Sequence, residues 1–358
     1  FLDIFSIQQT HILPADVDLD RLTLETFGTG PFILDEWLPG ERATLVRNPD
    51  YWEEGRPYLD EMIFMGMSET VTQTSALKTG DVDWVSMLEP QSVPEIEAHP
   101  ETKVFSVASS GNIGLTMDNS SPPFDNKLVR QAAMAALDQE SMLATMQGDP
   151  EYYKVCGAIF GCSTPLGDEA GSDLLTGGAN TERAKELLEE AGYDGTPIVL
   201  MAPTDVISLN NQPVVAAQAL REAGFEVDMQ SMDWQSVVQR RAQQSPVAEG
   251  GWNLFFTNWM VPEVSDPLVN VMLNGRGDDG WFGWPDDPKV EELRAKFMKA
   301  EGPEAQKEVA VEIQKHVMDN VNYIMMGEYL IPQARRNTIQ NMLPSPVPVF
   351  WNMTKEAE

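Results

Sequence analysis

Residues 250–267 read GGWNLFFTNWMVPEVSDP, and this stretch closes the pattern that sets the fold. Trp252–Phe256 is an apolar, aromatic run of the length of a buried strand in a parallel or mixed sheet. At Thr257, Asn258, Trp259 and Met260 the run gives way to a predicted loop holding Pro262 and Pro267. Sheets of α/β proteins place ligands beyond the carboxyl ends of their strands, so this strand end is expected to be one wall of a binding cleft.

The residues upstream supply the rest of the pattern. Ile198–Ala202 predicts a buried strand, Gln212–Ala223 a helix stopped by Gly224, Glu226–Met232 a strand and Trp234–Gln243 a helix. With Trp252–Phe256 this makes a β-α-β-α-β series, the signature of a doubly wound sheet with right-handed crossovers.

Further out, Asn126–Leu137 and Gln139–Gln147 are spaced as helices, and the Gly/Ser/Asp-rich stretch 167–179 is expected at the surface. Thr181 is expected to cap a helix over Glu182–Ala191 that Gly192 ends. Beyond the opening stretch come a loop at Gly275–Asp287, helices from Pro288 to Lys299 and over Pro303–Asn320, and strands at Tyr323–Gly327 and Ile331–Gln333.

In the first part of the chain, residues 1–26 show little period. Pro31–Trp37, Ala43–Arg47 and Glu61–Met67 then predict a hairpin and a third strand. A helix over Glu69–Thr79 closed by Gly80, a strand at Asp83–Met87, a helix at Pro94–Ala98 and a strand at Lys103–Ala108 follow. Residues 111–123 read as a strand and a Ser/Pro loop leading into a second lobe, and the Pro-rich tail Pro344–Phe350 is expected along the surface of the first. The class is mixed α/β.

Composition limits what such a chain can do. At 358 residues it exceeds the roughly 250–300 at which single cores stop growing, so two lobes are expected. Against 24 Lys and Arg stand 56 Asp and Glu, a net charge of −32 that repels nucleic acid and anionic lipid. That charge reads as surface solubility, with attraction of a cationic ligand as the sharper alternative. No window approaches the roughly 18 apolar residues of a membrane span.

The residues that carry chemistry are few. Cys156 and Cys162, in VCGAIFGC, fit a local disulfide of a secreted or periplasmic protein, with two buried reduced thiols as the alternative. His11, His99 and His316 are scattered, so neither a metal site nor a catalytic base of that type is expected. The acidic pairs Asp278-Asp279, Asp286-Asp287 and Glu291-Glu292 read as solvated turns and a helix start; a hydrolase using them is the competing class. Gly28-Thr29-Gly30 opens a hairpin rather than a helix, so a phosphate loop is not expected there. The glycines of Gly111-Asn112-Ile113-Gly114-Leu115 suit either close approach of a ligand or turn geometry. Among the aromatics, Trp259 and Trp281 stand out because both fall in predicted loops.

Taken in order, the segments GTGPF (28–32), RNPDYW (47–52), ALKTGDVDW (76–84), PPFDNKLVRQAAMAALD (122–138), RAKELLEEAGY (183–193), GWNLFFTNW (251–259), PDDPKVEELRAKF (285–297) and AVEIQKHVMDNVNYIMMGE (310–328) resemble the family 5 extracellular solute-binding proteins. These are the dipeptide-, oligopeptide- and nickel-binding components of ABC importers. The resemblance implies an α/β, two-lobed type II periplasmic-binding-protein fold, with residues 1–110 and a returning segment 331–358 in lobe I and residues 111–330 in lobe II. It also implies that the N-terminal part of the first lobe and an extra domain precede GTGPF in a complete member, so the chain is expected to be truncated.

The implied role is non-catalytic: capture of a small solute, an oligopeptide or related amide, and delivery to a membrane permease, without a cofactor. A monomer in the periplasm or outside the cell, membrane-associated through its transporter, is expected. A non-peptide solute such as an opine, sugar or metal chelate is the alternative. Ligand contacts are assigned to Trp259, Asn258, Met260, Thr257, Asn112, Asp205 and Trp281. The family's peptide binders typically carry an Asp three residues after the Trp of the strand-end loop, where it pairs with a free amine. Here that place is Pro262, with Glu263 and Asp266 as possible substitutes.

Overall fold

The computed structural model describes residues 12–18, 21, 27–67, 69–106, 111–206, 208–343, 345 and 348–356. Most of the aperiodic segment 1–26, the last two residues of the strand expected over Lys103–Ala108, and positions 344, 346 and 347 of the tail lie outside them. The chain divides into two units, residues 1–108 with 331–358, and residues 109–330.

The first unit begins with β1 (Phe32–Leu38), β2 (Arg42–Arg47) and β3 (Glu61–Met65), an antiparallel sheet. Helix α1 (Thr70–Thr79) ends at Gly80, whose φ of 85° lies in the left-handed region that glycine enters without steric cost. The strand expected over Asp83–Met87 is only two residues long, β4 (Trp84–Val85); α2 (Val93–Glu97) and β5 (Thr102–Ser106) follow.

The second unit contains β6 (Gly111–Met117), α3 (Lys127–Ala136), α4 (Gln139–Gln147), β7 (Tyr153–Lys154), α5 (Asp173–Thr176) and α6 (Thr181–Ala191). The alternation then runs β8 (Ile198–Pro203), α7 (Gln212–Glu222), β9 (Val227–Met232), α8 (Trp234–Arg240) and β10 (Leu254–Trp259). After a single turn, α9 (Val261–Val264), come α10 (Pro288–Lys299), α11 (Pro303–Asn320) and β11 (Tyr323–Tyr329). One six-stranded sheet collects these strands in the order β7-β11-β6-β10-β8-β9. Strands β10, β8 and β9 are parallel, joined by α7 and α8, while β6, β11 and β7 pair antiparallel, so the sheet is mixed. Every residue of β6, β8 and β11 is buried, which is why these strands read as nearly unbroken apolar runs.

The chain returns to the first unit through β12 (Pro332–Arg336), which pairs between β4 and β5, and through the short ladder of β13 (Ile339–Gln340) with β14 (Thr354–Lys355). Phe350 of the tail packs edge-on against Phe64 and Trp84 at 5.4 and 5.6 Å.

Several expectations change. The strand of the opening stretch does not break at Thr257: it continues to Trp259, because β6 offers ladder partners as far as Asn112 and because Thr and Trp suit a pleated surface. The passage into the second unit lies before β6, so the Ser/Pro loop at 118–123 is internal to that unit. Asn180, not Thr181, caps α6, its side chain accepting the Arg183 N–H at 3.0 Å. The stretch 167–179 is not wholly superficial, since Ser172 and Leu175 are buried there.

Candidate functional site

Strand β6 lies between β10 and β11, and one row of side chains crosses all three. Asn112 stands opposite Trp259 on one side and opposite Glu328 on the other. Residues directly opposite each other share a face of the sheet, and side chains alternate along a strand. Thr257, opposite Gly114, therefore joins the Trp259 face, whereas Asn258 points to the other, where its Nδ2 donates to Ser208 Oγ at 2.5 Å. The period of two thus divides four residues that a loop would have allowed to converge. Met260 follows the strand, and its N–H donates to Glu263 Oε2 at 2.9 Å.

The row is short of hydrogen bonds. Asn112 has no exposure at all, yet among the described residues neither its Nδ2 nor its Oδ1 has a hydrogen-bond partner. The indole N–H groups of Trp259 and Trp281 are likewise buried and unpartnered, as is Thr116 Oγ1. The two indoles meet edge to face with centroids 5.1 Å apart. An unmade hydrogen bond of this kind costs about 1–3 kcal/mol per group, which marks this row as a candidate site.

The neighbouring glycines sit in the strand, not in a turn. A Cβ on Gly111 would lie 2.4 Å from the Tyr329 ring, and one on Gly114 would lie 3.3 Å from Met272 Sδ and 3.9 Å from Trp259 Cδ1. Their missing side chains make room for Tyr329, Met272 and Trp259. Beside the row, Cys156 and Cys162 form a disulfide, and the Cys162 N–H donates to Glu328 Oε1 at 2.6 Å. With both sulfurs bonded to each other, this cluster offers no thiolate for a metal.

The remaining expected contact, Asp205, is exposed; its Oδ1 accepts the Trp234 N–H at 2.7 Å and ties the end of β8 to the start of α8. At the other end of α8 stands Arg241, which the sequence reading passed over. Its guanidinium carbon lies 4.7 Å from the ring centroid of Phe282, 5.4 Å from Trp281, 5.7 Å from Trp234 and 5.9 Å from Phe255. Burial alone holds this guanidinium below its ordinary pKa. The signal was the pair Arg240-Arg241 in an acidic chain, but helical spacing did not separate their roles. Arg240 is engaged by the carbonyls of Gly250 and Gly251 and by Gln230 Oε1.

The acidic pairs do not assemble a catalytic dyad. Asp278, Asp279 and Asp286 are exposed, as expected of turns. Asp287 caps α10 as expected but is buried, contrary to the solvated reading. Its oxygens accept from Val290 N, from His316 Nε2 at 2.8 and 2.9 Å and from the amides of Asn320 and Asn322, both at 3.0 Å. A polar cavity of about 530 Å³ lies nearby, lined by Asp125, Arg130, Arg276, Asp279 and Asp286 among others, and by none of the expected ligand contacts.

Over residues 1–281 the sequence matches the bacterial extracellular solute-binding proteins, family 5, middle region. The chain belongs to this family. Family 5 proteins are substrate-binding components of ABC transporters rather than enzymes. A probable peptide ABC transporter periplasmic-binding protein of Sinorhizobium fredii is 31% identical over 343 residues, which cover 92% of this chain and 65% of that relative. The chain thus spans less than two thirds of that family 5 relative's length. Among solved structures, DppA of Helicobacter pylori in complex with the peptide STSA aligns with a TM-score of 0.80 at 19% identity, over 97% of this chain and 68% of that one. AgaA of A. tumefaciens R10 in complex with agropinic acid aligns at 0.79 and 21%, over 95% and 69%. The fold is that of the type II periplasmic binding proteins.

Proposed function

We propose that this chain captures a small solute, an oligopeptide or related amide, outside the cytoplasmic membrane and delivers it to the permease of an ABC importer. Family membership and the peptide-related name of the Sinorhizobium relative support the general role. The observation that carries the site is the Asn112–Trp259 row, where aromatic surface and unpartnered amide and indole groups lie together at the end of β10. Apolar walls with a few convergent polar groups are the usual make-up of a small-molecule site. The two lobes implied by the resemblance, residues 1–110 with 331–358 and residues 111–330, are part of this proposal. Among the described residues no helix is long and apolar enough to cross a membrane.

A second reading, a non-peptide solute such as an opine, draws on two observations. One structural neighbour was solved with agropinic acid. By the resemblance, Pro262 stands where the family's peptide binders typically carry an amine-pairing Asp, and the possible substitutes are engaged: Glu263 with the Met260 N–H, Asp266 with the Leu268 N–H at 2.7 Å. Tryptophan-fluorescence titration with di- to pentapeptides, opines, sugars and nickel chelates tests both readings. A saturable response to peptides supports the first; a response confined to the other solutes replaces it with the second.

A further inference from the structure

Glu328 is a buried carboxylate set against a disulfide, and the closed bridge offers it little. Its Oε1 lies 3.6 Å from Cys156 Sγ, and a bridged sulfur carries no proton to donate across that gap. The same oxygen accepts the Cys162 N–H, so the carboxylate adjoins both half-cystines.

With the bridge open, this corner is a set of metal-ligating groups. Among the described residues, the Cys156 and Cys162 sulfurs and a Glu328 oxygen all lie within 4.8 Å of one another. A tetrahedral zinc ion bonded to a thiolate at about 2.3 Å and to a carboxylate oxygen at about 2.1 Å sets those two atoms about 3.6 Å apart. That separation is already present between Cys156 and Glu328. Two thiolates also cancel the charge of a divalent ion, so exchanging their two protons for the ion adds no net charge to the interior.

The corner does not depend on the bridge alone to hold its place. Gln139, itself buried, accepts the Cys156 N–H at 2.8 Å and donates to the carbonyls of Cys156 at 2.9 Å and Met325 at 2.7 Å. Cys156 is thereby tied to β11, the strand that carries Glu328. Gln314 fixes the middle of the loop, accepting the Ile159 N–H at 2.9 Å and donating to the Gly157 carbonyl at 2.8 Å. None of these bonds involves a sulfur, so reduction frees the two side chains while the backbone keeps them gathered. Cys162 is partly exposed, which gives a reductant and then an ion a way in.

We infer that Cys156, Cys162 and Glu328 form a redox-gated site for a thiophilic divalent ion such as zinc, closed while the disulfide stands and assembled when a dithiol reduces it. A thiolate of the dithiol attacks Cys162 Sγ, and Cys156 leaves as a thiolate that takes up a proton. The second sulfur of the dithiol then attacks the mixed disulfide, closes its own S–S bond and releases Cys162. Two electrons and two protons pass from the dithiol to the pair, and both protons leave again as the ion binds. Three protein ligands leave the fourth tetrahedral position to water. This inference does not rest on the solute-capture reading.

The test reduces the whole chain with a water-soluble phosphine, removes the reductant under argon and titrates with cobalt(II), a spectroscopic substitute for zinc. The reduced chain is expected to take up one ion, with the sulfur-to-cobalt charge-transfer band and strong visible bands of a tetrahedral thiolate site, and to yield it to zinc. Zinc is expected to raise the melting temperature of the reduced chain and to leave that of the oxidised chain unchanged. Cys156→Ser/Cys162→Ser is expected to show no charge-transfer band. Loss of an outer-shell partner already costs about 10–100-fold in metal affinity, so Glu328→Gln is expected to weaken cobalt at least about tenfold. Glu328→Asp, which draws the carboxylate back, serves the same comparison should the first variant not fold. A reduced chain that takes up no cobalt, folded or not, overturns the inference, as does equal uptake by the oxidised chain. Equal affinity in a folded Glu328 variant, or in reduced chain unfolded by urea, assigns binding to the cysteines alone and overturns it too.

Discussion

Asn112 and Trp259 stand opposite each other across the β6–β10 ladder, and among the described residues neither the Asn112 amide nor the Trp259 indole N–H has a hydrogen-bond partner. In a close-packed interior such groups work against stability. Their concentration at one strand end reads as an arrangement that serves something other than the fold alone.

Replacing Asn112 with Leu removes an unsatisfied buried amide at similar volume. The variant is expected to be more stable than the unaltered chain by about 1–2 kcal/mol. Urea unfolding measures this, and a destabilised variant would show that the amide is satisfied in the native protein.

The Cys156–Cys162 disulfide closes a loop with a sequence separation of 6. Chain entropy assigns a loop of that size about 2 kcal/mol. Cys156→Ala/Cys162→Ala, or reduction with dithiothreitol, is expected to lower the melting temperature, and the Cys162 N–H to Glu328 contact loosens with it. A calorimetric scan unchanged by the reductant would remove the disulfide from the stability account.

Asp287 gives a pH dependence with a definite sign. Burial alone would raise its pKa, but hydrogen bonds from Asn322, His316 and the Val290 N–H outweigh it and hold the carboxyl below its ordinary value. A depressed folded pKa means stability that is present above the unfolded carboxylate value, about 3.9, and is lost as pH falls through the folded value. Urea midpoints followed from pH 6 downward should fall in the acid range, and less steeply in Asp287→Asn, which starts from a lower midpoint at pH 7. Parallel profiles would show that other carboxylates govern acid unfolding.

At Gly111 the sheet leaves no room for a side chain. Gly111→Ala brings a Cβ to within 2.4 Å of the Tyr329 ring, and displacing that ring is expected to cost about 1–3 kcal/mol. Gly111→Ala combined with Tyr329→Leu should recover part of the loss, as unfolding of the single and double variants would show.

Much of the fold was legible because its period was strong. Strands β8, β9 and β10, helices α7 and α8, and the long helices α10 and α11 follow directly from apolar spacing and from Gly and Pro at their ends. The end of β10 is not legible locally for a physical reason: Thr257-Asn258-Trp259 is locally polar, and pairing with Gly114, Ile113 and Asn112, more than 140 residues earlier, keeps it extended. That one boundary carries into the site, since alternation sends Asn258 away from Trp259. Asp287 and Arg241 were hidden for a related reason. Whether a charged side chain is buried, and who its neighbours are, depends on elements far apart in sequence, here α11 for Asp287 and the Trp281–Phe282 turn for Arg241.

The central claim is that a small solute binds at the Asn112–Trp259 row. Isothermal titration of the unaltered chain and of Asn112→Leu with the best solute found in the peptide and non-peptide screen addresses it directly. The predicted result is saturable one-to-one binding that weakens at least about tenfold in the variant, which stays folded. Equal affinity in the two proteins, or no binding by any member of the screen, would contradict it.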